Sequence, residues 1–166
     1  MRIQLAAIAL AATLPAVAWL AAPSAARADE AACRVLETPG LFKDTKVDQA
    51  RMVAADAAQG LPAYCELKAV ISPVPQSKIA IVVRLPEAWN GKMLGLGGGG
   101  WSGNVTLASA SQGLKKGYAT AQTNGGHDTK ATFETGWAKD NPVAVTDFSY
   151  RAIHLTAVIG KAVVKS

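Results

Sequence analysis

The chain has little with which to do chemistry alone. It holds two histidines and two cysteines in 166 residues, aromatics make up 6% of it, and no Gly-x-Ser-x-Gly segment occurs anywhere. Without that segment no serine is raised on the sharp strand-to-helix turn that such a nucleophile requires. Cys33 and Cys65 lack the neighbouring histidines or second cysteine pair that a zinc site would need. The longest basic run is Lys115-Lys116, a solvated helix end rather than a stripe interleaved with aromatics, so nucleic acid is excluded as a partner. Beyond the first 28 residues no apolar run is long enough to span a membrane.

Residues 1–28 read as an export signal. Arg2 supplies the positive start, residues 3–22 the apolar stretch broken by Pro15, and Ala26-Arg27-Ala28 a small-x-small cleavage site before Asp29. The run approaches the length of a spanning helix, but its alanine content, its proline and its processing site favour cleavage over an anchor. Removing Arg2 and Arg27 leaves 15 basic against 12 acidic residues. The remainder, residues 29–166, is expected outside the cytoplasm, secreted or periplasmic, with no membrane attachment. Cysteines in that compartment oxidise, so Cys33 and Cys65 are expected to pair. A loop of that size would stabilise by about 3 to 4 kcal/mol on the chain-entropy estimate.

Residues 29–64 contain Pro39-Gly40 and Gly60-Leu61-Pro62 around a polar, alanine-rich segment, residues 47–58, which predicts turns and one short helix. Two β-rich runs follow, residues 67–72 and 78–85, separated by Pro73-Val74-Pro75, and read as an antiparallel hairpin. After the Asn90-Gly91 turn come a third strand, residues 92–96, a helix over 104–116 and a fourth strand over 117–123. Phe148, Ala152, Leu155, Ile159 and Val163 recur at helical spacing, with Asp147 a reasonable N-cap. Strand, helix, strand, helix is the alternation of a βαβ unit on a parallel sheet, entered here through an antiparallel hairpin.

Four consecutive glycines, Gly97 to Gly100, end the third of these strands and precede Trp101-Ser102-Gly103. Residues without a Cβ let bare backbone approach a ligand closely. A phosphate cradle is poorly matched, since no Lys-Ser/Thr follows and no acidic residue stands suitably downstream. A ligand-free structural turn is the second reading, and an oxyanion hole the third. A glycine loop after the third strand and before the first helix is where α/β-hydrolases place one such amide donor. Ser102 has Gly100 two before it but Asn104 two after it, so it is no nucleophile elbow. His154 reads as a surface or packing residue of the last helix.

Three segments carry a family resemblance: Leu96-Gly97-Gly98-Gly99-Gly100-Trp101-Ser102-Gly103, then Gly117-Tyr118-Ala119-Thr120-Ala121-Gln122-Thr123-Asn124-Gly125-Gly126-His127-Asp128, then Asp147-Phe148-Ser149-Tyr150-Arg151-Ala152-Ile153-His154-Leu155-Thr156-Ala157. In order, across residues 33 to 166 and behind an export signal, they resemble the tannase and feruloyl esterase family. The resemblance implies the N-terminal half of an α/β-hydrolase core and a secreted serine esterase acting on feruloyl, galloyl or similar aromatic esters as its small-molecule partner. The family's nucleophile motif, Cys-Ser-x-Gly-Gly, has no match here. Neither do its acid, its base, its lid or the lid's calcium site, so no cofactor is expected in this chain.

Only the oxyanion glycine carries over, onto Gly97, as a backbone amide donor. Gly98, Trp101 and His127 are candidate substrate-lining positions. Trp101 is open between an aromatic wall and a packed indole, and His127 with Asp128 between lining the site and holding a loop. The resulting expectation is a truncated esterase with an unpaired sheet edge, poorly soluble and inactive alone. The alternative is a small exported binding protein whose glycine loop holds an anionic or carbohydrate ligand. Coding sequence beyond codon 166 containing Cys-Ser-x-Gly-Gly would separate the two.

Overall fold

A computed structural model describes residues 29–166; the expected export signal, residues 1–28, lies outside them. The chain begins with a short helix, Glu30–Val35 (α1), whose N-cap Asp29 accepts a hydrogen bond from the Ala32 amide at 2.8 Å. Five strands follow in one sheet: Thr45–Val53 (β1), Tyr64–Ile71 (β2), Ile79–Pro86 (β3), Met93–Leu96 (β4) and Ala119–Thr123 (β5). Their order is β1-β2-β3-β5-β4. The pairs β1/β2, β2/β3 and β3/β5 are antiparallel and β4/β5 is parallel. The helix Leu107–Lys115 (α2) makes the crossover between the parallel strands, capped by Thr106, whose hydroxyl accepts from the Ser109 amide.

The expected hairpin is therefore β2/β3, and the expected βαβ unit is β4-α2-β5. Residues 47–58 differ from the reading of turns and a short helix. Most of them belong to β1, and the short helix lies earlier, at α1. The reason is a bulge between Val47 and Gln49. An extra residue moves the inward side chains from Val47 to Ala50 and Met52, which erases the two-residue alternation by which a strand is recognised. The glycine run thus follows the fourth strand of the sheet, and the third once the added edge strand β1 is set aside.

The last helix also starts earlier than Asp147. Pro142–Thr146 (α3) runs through a π turn, Asp147–Arg151, into Ala152–Val163 (α4). Its N-cap is Asn141, whose side chain accepts from the Ala144 amide at 3.1 Å, with Pro142 in the first turn. Proline there is favourable because the amide it removes has no helical partner.

One face of the sheet is apolar. Leu67, Ala69 and Ile71 of β2, Ile79, Ile81 and Val83 of β3 and Ala119 and Ala121 of β5 pack under Ala152, Ile159 and Val163 of α4, Cys33 of α1 and Leu36 at its C-cap. Cys33 and Cys65 are disulfide-bonded with Cα atoms 5.6 Å apart, which ties α1 to β2 as expected. The other face is mixed. α2 covers it through Ala110 and Leu114, packed with Leu61 and Tyr64. Beside them Arg84, 4% exposed, donates to Glu66 at 2.8 Å and to Gln122 Oε1 at 2.6 Å. Burial pushes the Tyr64 hydroxyl pKa up, reinforced by the nearby Glu66 and opposed by Arg84.

Candidate functional site

The C-terminal ends of the parallel strands β4 and β5 meet the start of α4, and the candidate site lies there. β4 runs out at Leu96 into the glycine loop. Ser102, expected to be no nucleophile, is a buried pin of that loop: its hydroxyl donates to the Gly99 carbonyl at 2.8 Å and accepts from the Gly99 amide at 3.3 Å. The loop is stitched to the 129–132 segment by the Trp101 amide donating to Thr132 O and the Gly103 amide to Thr129 O, at 2.8 and 2.7 Å. Gly100 has a φ of +56°, and a Cβ there would come within 2.7 Å of the Thr132 methyl. At Gly98 a Cβ would collide with the Ser102 carbonyl, whereas at Gly97 it would meet nothing within 4 Å. The amides of Gly97 and Gly98 donate to no protein group among the described residues.

β5 ends in a turn held by Asn124. Its side-chain oxygen accepts from the Ala80 and Gly126 amides, both at 2.9 Å, and its amide nitrogen donates to Asp128 at 3.0 Å. Gly125 and Gly126, at φ +70° and +89°, admit the π turn at close range: a Cβ on Gly125 would stand 2.9 Å from the Phe148 ring, and one on Gly126 2.6 Å from the Asp147 Cβ. Asp147 is 1% exposed and accepts from the Ser77 hydroxyl at 2.7 Å and from Arg151 Nε at 2.6 Å. It therefore pins the β3 approach, the β5 turn and the π turn together. This is the role the sequence hides, because Asp147 and Phe148 read there as cap, periodicity and part of a family landmark.

His127 stacks on Trp137, ring centroids 4.1 Å apart and planes 6° from parallel, and Phe148 packs 5.5 Å from the histidine and 4.9 Å from the indole. Its Nδ1 accepts from the Thr129 amide at 3.3 Å, while its Nε2 is buried with no protein partner. Burial lowers the His127 pKa, with the Asp128 charge opposing. Of the two readings left open, the geometry favours the loop: His127 sits behind Gly125, and Asp128 holds Asn124. Trp101 packs 5.6 Å from Phe148, is 46% exposed and is not among the residues lining the recess described below. Trp137 in the short Gly136–Ala138 turn was not singled out, since nothing local marks it. His154 is exposed on α4.

Gly97 and Gly98, Ser102, Gly125, Phe148 and Ile153 line a recess of about 160 Å³. Two unpaired amides on one wall and an aromatic ring on another suit an anionic or strongly polarised oxygen attached to a flat apolar group. Among the described residues no cluster of three His, Cys, Asp or Glu side chains could hold a metal ion.

Residues 65–166 match the family model of tannase and feruloyl esterase. The chain belongs to that family. An esterase of Xanthomonas campestris is 33% identical over 158 residues, 93% of this chain and 27% of its own length. A probable feruloyl esterase B-1 of Aspergillus fumigatus is 34% identical over 104 residues, 61% of this chain and 19% of its own. The crystal structure of feruloyl esterase B from Aspergillus oryzae superposes with a TM-score of 0.68 at 25% identity, over 80% of this chain and 28% of that one. The chain thus spans about a quarter of the length of the proteins it matches. Its fold is part of an α/β-hydrolase-type esterase fold, as the family resemblance implied.

Proposed function

We propose that this chain forms the oxyanion side of an exported serine esterase for aromatic carboxylic esters, with the Gly97 amide as one donor and Gly98 beside it. The observation that carries the reading is the recess itself, lined by Phe148 of the π turn and by Gly97 and Gly98, whose amides donate to no protein group among the described residues. Its volume is close to that of a cavity that takes one benzene ring, roughly 150 Å³, so it suits the ring of a galloyl or feruloyl type acyl group. Such an amide adds transition-state stabilisation as negative charge develops on the carbonyl oxygen. The nucleophile and its base come from the part of the family's length that this chain does not span. The Cys33–Cys65 bond supports folding in an oxidising compartment, and no described helix is long and apolar enough to cross a membrane.

The 166-residue chain is expected to give no turnover of methyl ferulate or methyl gallate above buffer. Turnover that vanishes in Ser102→Ala would overturn the assignment of the nucleophile elsewhere. With this chain replacing its matched region in the Xanthomonas esterase, Gly97→Pro, which deletes the amide proton, should lower kcat by about 10² to 10³ with KM little changed. An unchanged kcat removes Gly97 from the oxyanion hole.

A further inference from the structure

Of the four asparagines in the chain, two are followed by glycine, at Asn90-Gly91 and Asn124-Gly125. A following residue without a Cβ leaves its backbone nitrogen free to approach the asparagine side chain, so both pairs carry the same latent chemistry. The structure separates them. Asn124 is 4% exposed, its side-chain oxygen accepts from the Ala80 and Gly126 amides, and its side-chain nitrogen donates to Asp128. The nitrogen that would attack there is engaged as well, because the Gly125 amide donates to the Thr123 hydroxyl at 3.1 Å. Asn90 and Gly91 lie exposed on the turn between β3 and β4, and the Gly91 amide donates to no protein group among the described residues. Meanwhile the Asn90 side-chain oxygen accepts from the Lys92 amide at 2.9 Å, which polarises that carbonyl and stabilises negative charge on it. The other two asparagines are poorer candidates. Asn104 precedes Val105, whose branched side chain hinders approach, and Asn141 precedes Pro142, which has no amide proton to lose.

We propose that Asn90-Gly91 is a site of spontaneous deamidation, at which the folded chain modifies its own turn in water. The Gly91 nitrogen bonds to Asn90 Cγ, the Cγ–Nδ2 bond breaks, and Nδ2 leaves as ammonia with the proton that Gly91 gives up. Water then opens the resulting succinimide. Breaking the new N–Cγ bond yields aspartate, and breaking the original peptide bond yields isoaspartate, whose main chain runs through Cγ. Nothing is oxidised or reduced. The position gives the change a structural consequence: Asn90 Nδ2 donates to the Lys116 carbonyl at 2.7 Å and the Asn90 amide to the Gly117 carbonyl at 2.8 Å, tying this turn to the end of α2. A carboxylate offers the Lys116 carbonyl no donor, and isoaspartate lengthens the main chain just before β4. Conversion therefore removes one clamp of the β4-α2-β5 crossover ahead of the glycine loop. None of this depends on the esterase reading.

The test is to incubate the 166-residue chain in mildly acidic and mildly alkaline buffer, with and without urea, and to digest it after lysine and arginine. Residues 85–92 and 117–130 then each carry one Asn-Gly, and mass spectrometry reads the exchange of amide for acid in each, with enzymatic methylation of isoaspartate as a second readout. In buffer, conversion should accumulate in residues 85–92 and run faster in alkali, where the Gly91 amide loses its proton more readily. It should be at least about tenfold slower in residues 117–130, because reaction there has to give up the bonds that hold Asn124 and Gly125. In urea those bonds are gone, and the two peptides should convert at similar rates. Equal conversion of the two peptides in buffer overturns the proposal, as does faster conversion of residues 117–130. So does an 85–92 peptide that converts only in urea, because the turn then protects Asn90, and so does one that converts in neither medium.

Discussion

The body of the sheet and the loops at the C-terminal ends of β4 and β5 are held by different physics. In the body, Leu67, Ile79, Ile81 and Val83 have at most 1% of their surface exposed and pack without directional requirement. In the loops almost nothing aliphatic is buried. Gly98, Gly100, Gly125 and Gly126 allow approaches that a Cβ would forbid, Ser102, Asn124 and Asp147 supply fixed hydrogen bonds, and His127 and Trp137 stack. Apolar burial scales with area and tolerates exchange of one aliphatic for another. Close backbone contacts and hydrogen-bonded pins do not, so the loop end has geometry where the body has cohesion.

The body has one exception, and it gives the largest expected effect. Arg84→Met leaves the buried Glu66 carboxylate and the Gln122 amide oxygen without their guanidinium, and thermal or urea unfolding should show a loss of about 3 to 5 kcal/mol. Lys68, 3.2 Å from Glu66 but half exposed, offsets little of this. Replacing both partners, Glu66→Leu with Arg84→Met, should recover most of the loss, because two apolar side chains of similar size need no pairing. A double variant as unstable as the single would show that the body also depends on a directional network, and the contrast with the loops would fail.

Gly98→Ala comes next. The methyl group has to displace the Ser102 carbonyl or its hydroxyl bridge to Gly99, an overpacking of about 1 to 3 kcal/mol. The distinguishing readout is local: hydrogen exchange should accelerate at Gly99, Trp101 and Gly103 while the β2 and β3 amides keep their protection. Acceleration throughout the sheet would mean that loops and body unfold as one unit.

How much of this was legible beforehand divides along the same line. The hairpin, the βαβ unit and the last helix were readable because continuous apolar runs and a 3.6-residue period report burial directly, as Ile79 to Leu85 and Ala152 to Val163 do. β1 was not, since its bulge breaks the period. At the loop end the glycines announced close approach but not its partners. Gly126 packs on Asp147, 21 positions away, and Ser77 reaches that carboxylate across 70. Contacts of that kind leave no periodic trace, which is why His127 could be singled out without revealing whether it faces the recess or the loop.

A smaller effect follows from His127. Burial holds its folded-state pKa below the ordinary value of about 6.5. Between the unfolded and folded values the unfolded chain binds the proton more readily, so stability rises with pH across that window. The contribution is present above about 6.5 and is lost as pH falls toward the folded value. Urea unfolding near pH 7 and pH 5 should therefore differ more for the natural chain than for His127→Phe, which keeps the stack on Trp137. Equal differences would place the titrating group elsewhere.

The smallest effect is expected at Gly97, and it sharpens the contrast most. The site-lining role and the packing role coincide at Gly98, where a Cβ has no room, but they separate at Gly97, where a Cβ meets nothing within 4 Å. Gly97→Ala should change stability by less than about 0.5 kcal/mol, the range of substitutions that disturb no packing, cap or pairing. A glycine that the fold does not demand, with an unpaired amide on the wall of a recess, is what the proposed donor role requires. The measurement is unfolding of Gly97→Ala beside that of Gly98→Ala. A Gly97 variant as unstable as its neighbour would show that the loop needs glycine there for its own conformation, and the inference from an open position to a ligand-facing one would be lost.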